Sequence, residues 1–165
     1  MSIDPAVIRA TMRLWASGVT VVTTAQNGQY VGVTVSSFTS VSLTPPLALV
    51  CLYKHTESCK AVLDAGVFAV SILGEGQGAL SEQFAGHNKD YAAGEDRFHN
   101  VATSTKVSGA PVLDNAIAWL DCRVTAAHDG GTHWVIIGEI LATGRRSDEP
   151  KPLVYYNRAY RTVTP

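Results

Sequence analysis

The sequence predicts a mainly β fold with a few helices, in which about six or seven strands close, or nearly close, into a barrel. Short runs rich in Val and Ile recur along the chain, and turn residues separate them. Two of these turns, Asn27-Gly28 and Asp129-Gly130-Gly131, have the composition of β-hairpin turns. Few segments show the apolar spacing of helices, so strands are expected to dominate.

The first half of the chain predicts strands interrupted by short helices. Asp4 can cap a helix over residues 4–16, and Pro5 suits its first position. Two strands then flank Asn27-Gly28 within residues 18–35. A strand, a helix closed by Gly66, a strand and a helix are expected over residues 47–53, 57–66, 67–73 and 76–85.

The second half begins with a polar, glycine-rich stretch over residues 86–115, which predicts a long excursion of functional or mobile loop. Residues 117–143 predict the second hairpin, and residues 152–163 predict one or two last strands. The chain has 165 residues and no internal repeat, linker or low-complexity segment. We therefore expect a single domain over residues 1–165.

Composition narrows the classes of function. Charged residues make up 16% of the chain and its formal net charge is −1, which argues against nucleic-acid binding and favours a surface partly covered by a partner. No run of 18 apolar residues predicts a membrane helix, and the N-terminus lacks the layout of a signal peptide. Cys51, Cys59 and Cys122 are widely spaced, which is typical of buried thiols in a reducing cytoplasm.

The segment GEGQGA, residues 74–79, matches the glycine pattern of a dinucleotide-binding turn. That function also requires a parallel βαβ unit with an acidic residue after the next strand. Glu95 and Asp96 stand near the required distance, but no strand-like run precedes them. A simple turn from strand to helix is the favoured interpretation.

The five histidines show no metal-binding spacing, so a metal site is not expected. The sequence also lacks the G-x-S-x-G pattern of a nucleophilic serine. His133 stands apart because it follows the glycine turn at the start of a strand. Two interpretations stay open: an exposed hairpin side chain, or a binding residue at the rim of the barrel.

A hydroxyl-rich stretch, GVTVSSFTSVSLTPPL, covers residues 32–47. Strand alternation places Thr34 and Ser36 on one face and Ser37 and Thr39 on the other. Such hydroxyls can bind a phosphate, with Lys89 or Arg97 as a basic partner. They can equally belong to an edge strand that satisfies its own backbone. The residues alone do not choose between the two.

Four ordered segments resemble the small flavin reductases that supply reduced flavin to two-component monooxygenases, the reductase of 4-hydroxyphenylacetate 3-monooxygenase being the best-known type. The segments are SGVTVVTT (17–24), GVTVSSFTSVSLTPPLALVCL (32–52), FAG (84–86) ahead of Asp96-Arg97-Phe98, and GTHWVIIGEI (131–140) with PLVYYNRAY (152–160). Together they span nearly the whole chain.

The resemblance implies an FMN-binding split β-barrel that forms a homodimer, binds FMN or FAD, and oxidises NADH or NADPH for a partner monooxygenase. It assigns cofactor binding to Thr34, Ser36, Ser37, Leu49, Val50, Cys51, Phe84, Ala85, Lys89, Tyr156, Arg158 and Tyr160. The three hydroxyls would lie along the ribityl chain and phosphate, and the last three residues on the nicotinamide side. His133 matches the histidine of the family's G-[TSD]-H motif and is the expected catalytic residue.

Hydride transfer between two bound rings needs no protein nucleophile, which agrees with the lack of any triad in the sequence. Two other functions remain possible at this stage. One is a flavin- or haem-binding split barrel that does not turn over, and the other is an enzyme of the pyridoxamine-phosphate oxidase type. The choices of FMN or FAD, and of NADH or NADPH, stay open.

Overall fold

The computed structural model describes residues 3–86 and 96–164, so Lys89 lies outside the described residues. The elements within them are, in order, α1 (Pro5–Met12), β1 (Ser17–Gly18), β2 (Thr20–Gln26), β3 (Gln29–Val35), β4 (Phe38–Leu43), β5 (Pro46–Tyr53), α2 (Glu57–Ala65), β6 (Val67–Ile72), α3 (Gly78–Ala85), β7 (Thr103–Thr105), β8 (Pro111–Leu113), β9 (Ala118–Gly130), β10 (His133–Arg145), β11 (Val154–Tyr156) and β12 (Ala159–Arg161). None of these helices is long and apolar enough to cross a membrane.

Seven antiparallel strands form the main sheet, in the order β3-β2-β6-β9-β10-β5-β4. Its two edge strands, β3 and β4, are consecutive in the chain, and only Ser36 and Ser37 separate them. The sheet therefore curls until its edges meet at a two-residue link, but β3 and β4 do not pair and the barrel stays open. This architecture confirms the predicted mainly β, nearly closed barrel.

The barrel interior is filled by aliphatic and aromatic side chains from several strands of the main sheet. Val50, Phe68 and Ile136 have no accessible surface. Gly138 on β10 permits this packing, because a Cβ atom there would lie 2.6 Å from the Phe68 ring. A second buried cluster, which includes Val21 and Phe84, lies between β2 and α3.

The first two helices begin where the sequence predicts, and α3 begins two residues later than predicted. Asp4 caps α1 by accepting a hydrogen bond from Ala6 N at 2.8 Å, and Gly66 ends α2 in the left-handed conformation at φ 69°. The prediction for α1 differs in two respects. The helix ends at Met12 rather than at residue 16, and none of its residues is buried.

The predicted excursion over residues 86–115 is wrong for its second half. β7 and β8 pair there as a two-stranded ribbon, and Val112 is 1% exposed. The buried carboxylate of Asp121 anchors the ribbon by accepting a hydrogen bond from Ser108 N at 2.7 Å. Runs of three residues are too short for a periodic pattern, so this ribbon carried no signal in the sequence.

GEGQGA forms a turn, as the sequence favoured. Both sheet neighbours of β6, which precedes it, are antiparallel to β6. The parallel βαβ unit of a dinucleotide fold is therefore not present around this segment. Gly74 N instead donates to Gln77 Oε1 at 2.7 Å and closes the turn ahead of α3.

Candidate functional site

The hydroxyl groups in and beside the Ser36–Ser37 link differ in their hydrogen bonding. Thr34 Oγ1 donates to the Ser81 carbonyl at 2.6 Å, and Ser37 Oγ donates to the Cys51 carbonyl at 2.9 Å. Ser37 also accepts a hydrogen bond from Cys51 N at 3.0 Å, which fastens the link to β5. The exposed Ser36 hydroxyl has no hydrogen-bond partner within the described ranges. The edge-strand interpretation therefore describes Thr34 and Ser37, whereas ligand binding by Ser36 stays a prediction.

Two cavities adjoin at this link. The larger has a volume of about 430 Å³ and is lined by Arg9, Met12, Arg13, Trp15, Ser17, Ser36, Ser37, Tyr155, Asn157 and Arg158. The smaller has a volume of about 150 Å³ and is lined by Val19, Thr34, Ser36, Ser81, Glu82, Ala85, Tyr155 and Tyr160. Because Ser36 and Tyr155 line both, one ligand can extend from one cavity into the other. The larger volume alone falls in the range of about 300–1,000 Å³ typical of small-molecule sites.

The C-terminal hairpin forms one wall of the larger cavity. Its turn residues Asn157 and Arg158 have positive φ angles of 49° and 63°, as a two-residue hairpin turn of type I′ requires. Asn157 N donates to the Arg13 carbonyl at 3.0 Å and so ties the turn to the end of α1. On the adjacent strand, Tyr155 pairs with Ser17 of β1. The walls of the cavity are therefore hydrogen-bonded to one another.

Tyr160 lies between the smaller cavity and α3. Its hydroxyl lies 2.9 Å from Ser81 Oγ and donates to Glu82 Oε1 at 2.8 Å. Burial, together with the Glu82 carboxylate, raises the pKa of Tyr160 to about 12. The phenol is thus a neutral donor at physiological pH. Tyr156 is offset by one residue from Tyr155, faces the other side of the strand, and lines neither cavity.

The predicted ring-binding residues lie on β5. Val50 is fully buried in the barrel core, whereas Leu49 and Cys51 are half-buried on the opposite face. None of the three lines the two cavities. Burial raises the pKa of the Cys51 thiol, so it stays protonated at neutral pH. The role of these three residues toward the ring remains a prediction.

The FAG and Asp-Arg-Phe segments pack against each other. Phe84 is fully buried, and its ring meets Phe98 edge to face at 5.0 Å. Arg97 donates to the Phe84 carbonyl at 2.9 Å and to the Gly32 carbonyl at 3.3 Å. In the described structure Arg97 therefore holds the end of α3. Of the two predicted phosphate-end residues that lie within the described ranges, Ala85 lines the smaller cavity and Phe84 does not.

His133 lies at the tip of the β9–β10 hairpin. Its Nδ1 atom lies 2.8 Å from Thr132 Oγ1, and its ring packs against Tyr53 with centroids 5.5 Å apart. Beside it, Lys54 pairs with Asp129 at 2.7 Å. The Nε2 atom has no partner among the residues described and is the ring nitrogen available to a ligand.

The structure does not bring His133 into the two cavities. His133 pairs with Tyr53, two positions along β5 from Cys51, to which Ser37 is bonded. Two residues of strand span about 7 Å, and one interstrand step adds about 5 Å. The hairpin tip therefore stands roughly one ring system away from the link.

Sequence reasoning missed Arg9 and Arg13 of α1, which both line the larger cavity. Their spacing of four residues places them on one helix face, and that signal was available. No group of three His, Cys, Asp or Glu side chains within residues 3–86 and 96–164 is arranged to hold a metal ion.

A family model described as "Flavin reductase like domain" matches residues 12–164. The reductase subunit HsaB of a flavin-dependent monooxygenase from Rhodococcus jostii is 34% identical over 164 residues, which cover 99% of this chain and 80% of HsaB. A flavin reductase (NADH) from Kitasatospora aureofaciens is 41% identical over 147 residues, which cover 87% of this chain and 74% of that protein.

A solved structure gives the same result for the fold. The NADH:FAD oxidoreductase SgcE6 of Streptomyces globisporus superposes with a TM-score of 0.89 at 32% identity, over 100% of this chain and 98% of that one. The open barrel described above is therefore the split-barrel-like fold of such reductases.

Proposed function

This chain belongs to the flavin reductase-like domain family and is an oxidoreductase, and we propose that it transfers hydride from NADH to a flavin that a partner monooxygenase then uses. The observation that carries the proposal is the Ser36–Ser37 link, where a hydroxyl with no partner among the described residues faces two adjoining cavities. A bound flavin supplies the redox chemistry by accepting hydride from the nicotinamide.

The residues present fit a phosphate-bearing flavin. Ser36 offers a free hydroxyl, and Arg158 contributes a guanidinium to the same cavity. Thr34 and Ser37 support Ser36 by fixing the backbone on either side of it. Leu49 and Cys51 offer a half-buried apolar surface to the ring, while Lys89, Tyr156 and Tyr160 remain expected contributors.

We assign His133 to the nicotinamide side. Thr132 orients its ring through Nδ1 and leaves Nε2 free to contact the carboxamide of the nucleotide. The protein then has to hold two rings together and exclude water, for which no acid or base is needed. NADH is favoured over NADPH by the names of two relatives, a flavin reductase (NADH) and an FMN reductase (NADH).

We further propose a homodimer. Val7, Ile8 and Leu14 on or next to α1 are 57%, 48% and 69% exposed. A second copy covering this face would bury them. A single species of monomer mass in sedimentation at micromolar concentration would contradict this assembly. The three free cysteines suit a reducing compartment, and we place the chain in the cytoplasm.

NADH oxidation with and without added flavin tests the activity. The purified protein should consume NADH slowly alone and much faster with FMN or FAD present. The products should be NAD⁺ and reduced flavin that a separate oxygenase can use. A rate that does not rise at saturating flavin would contradict the reductase function and favour a protein that only stores or senses flavin.

A further inference from the structure

Three arginines line the larger cavity from two separate elements. Arg9 and Arg13 come from α1, and Arg158 comes from the turn between β11 and β12. No Asp or Glu lines this cavity, and none of the three arginines forms an ion pair within residues 3–86 and 96–164. In a chain with a net charge of −1, this concentration of unpaired positive charge requires an explanation.

Arg13 provides an independent sign of a missing ligand. Its Nε atom is buried and has no hydrogen-bond partner, and it is the only side-chain nitrogen or oxygen in that condition within the described ranges. A buried donor without a partner costs free energy, and native structures normally satisfy such groups. An anion in the cavity would satisfy this one.

The helix dipole does not account for the cluster. Basic residues near the end of α1 are stabilised by its C-terminal carbonyls, which explains Arg9 and Arg13 alone. It does not explain why Arg158, held at a positive φ of 63°, reaches the same cavity. Nor does it explain why the free hydroxyl of Ser36 lines the same wall.

The cavity also offers aromatic surface beside the arginines. Trp15 is 71% exposed and Tyr155 is 38% exposed, and both line it. Guanidinium groups bind phosphates through paired N–H donors, and exposed aromatic rings stack on purine bases. A base joined to a diphosphate matches this combination better than a single inorganic anion does.

We propose that this arginine cavity binds the adenosine-diphosphate part of a dinucleotide and thereby selects the larger of two ligands. The proposal rests on the proposed function, since both FAD and NADH contain this group. If FAD is the source, the cavity makes the chain selective for FAD over FMN. If NADH is the source, it sets the affinity for the hydride donor.

The test uses the double variant R9Q/R13Q and a matched control, K60Q/R145Q. The control also removes two positive charges, but from exposed positions on α2 and β10 that line neither cavity. Dissociation constants are measured by calorimetry for ADP, FAD and FMN, and the KM for NADH is measured with FMN as acceptor. The single variants R9Q and R13Q repeat the test if the double variant does not fold.

Wild-type protein should bind ADP, and R9Q/R13Q should bind it at least about tenfold more weakly, because charge-assisted hydrogen bonds are lost. The control should stay within about threefold of wild type. Added salt should weaken ADP binding more in wild type than in the double variant. R9K/R13K should be intermediate, since lysine keeps the charge but not the paired donors.

Separate measurements distinguish FAD from NADH as the source of the bound ADP group. A fall in FAD affinity of about tenfold with FMN unchanged assigns the cavity to FAD, and a matching rise in the KM for NADH assigns it to NADH. Equal losses for FMN and FAD, or no ADP binding in wild type, would overturn the proposal. NADH oxidation by the wild-type protein is measured separately. If the protein binds ADP but does not reduce flavin, the proposed function is wrong and the ADP-binding cavity still stands.

Discussion

The Ser36–Ser37 link and the tip of the β9–β10 hairpin treat their polar groups in opposite ways. At the link, a hydroxyl and several guanidiniums face open cavities without partners among the described residues. At the tip, Thr132 bonds to His133, and Lys54 pairs with Asp129 and lies 4.9 Å from the Trp134 ring centroid. A ligand can bind the link without breaking the contacts described, whereas at the tip His133 offers Nε2 and the Lys54–Asp129 pair is already formed.

The largest expected effect is at the link and separates two adjacent serines. Ser36→Ala should weaken flavin binding by about ten- to a hundredfold, because it removes a donor to a charged group. Its folding stability should be unchanged, since the hydroxyl has no partner among the described residues. Ser37→Ala should instead lower stability by about 1 kcal/mol through the lost bond to the Cys51 carbonyl.

Flavin titration and urea unfolding of both variants measure this contrast. Wild-type affinity in Ser36→Ala, together with weak binding in a well-folded Ser37→Ala, would reverse the assignment. Thr34→Val serves as a second structural control, because the Thr34 hydroxyl also donates its hydrogen bond to a backbone carbonyl.

The next effect tests the tip. His133→Ala should reduce kcat/KM for NADH by about five- to fiftyfold, which is the value of one or two hydrogen bonds in the transition state. Flavin affinity should stay unchanged, because the tip lies outside the two cavities. His128→Ala, an exposed histidine on the adjacent strand, is the matched control.

Steady-state kinetics with NADH varied at saturating flavin give the answer for both histidine variants. A wild-type kcat/KM in His133→Ala would leave it an exposed hairpin side chain. If His133→Ala instead weakened flavin binding, the hairpin tip and the Ser36–Ser37 link would belong to one binding site.

The fold was largely predictable because long apolar runs and two clear turns determine the main sheet. The hairpin over residues 117–143 is observed as β9 and β10. The ribbon of β7 and β8 was not predictable, because its anchor, Asp121, lies 13 residues beyond the Ser108 that it holds. Such a non-local contact leaves no local pattern.

The candidate site could be located in the sequence only as a segment, not residue by residue. The hydroxyl-rich stretch predicts a site that stays a proposal, and the difference between Ser36 and Ser37 depends on the position of Cys51 on β5, which only the folded sheet sets. Arg9 and Arg13 reach the cavity because the hairpin turn binds the end of α1. A helix read for its apolar face alone does not reveal that contact.

The smallest expected effect concerns Tyr160, where the cavity wall meets α3. Tyr160→Phe removes the hydrogen bond to Glu82 and should lower stability by about 1 kcal/mol at neutral pH. The pKa of Tyr160 is raised to about 12 from an ordinary value of 10.0, chiefly by burial. Its contribution is therefore complete below about pH 10 and is lost as the pH rises from about 10 toward 12, because only the unfolded phenol ionises readily in that window. Urea unfolding of both proteins from about pH 8 to 11.5 should show the gap between them shrinking with pH. A gap that stays constant over that range would mean that the Tyr160 hydroxyl is no more buried than a surface phenol, and the wall of the smaller cavity would then be open to solvent.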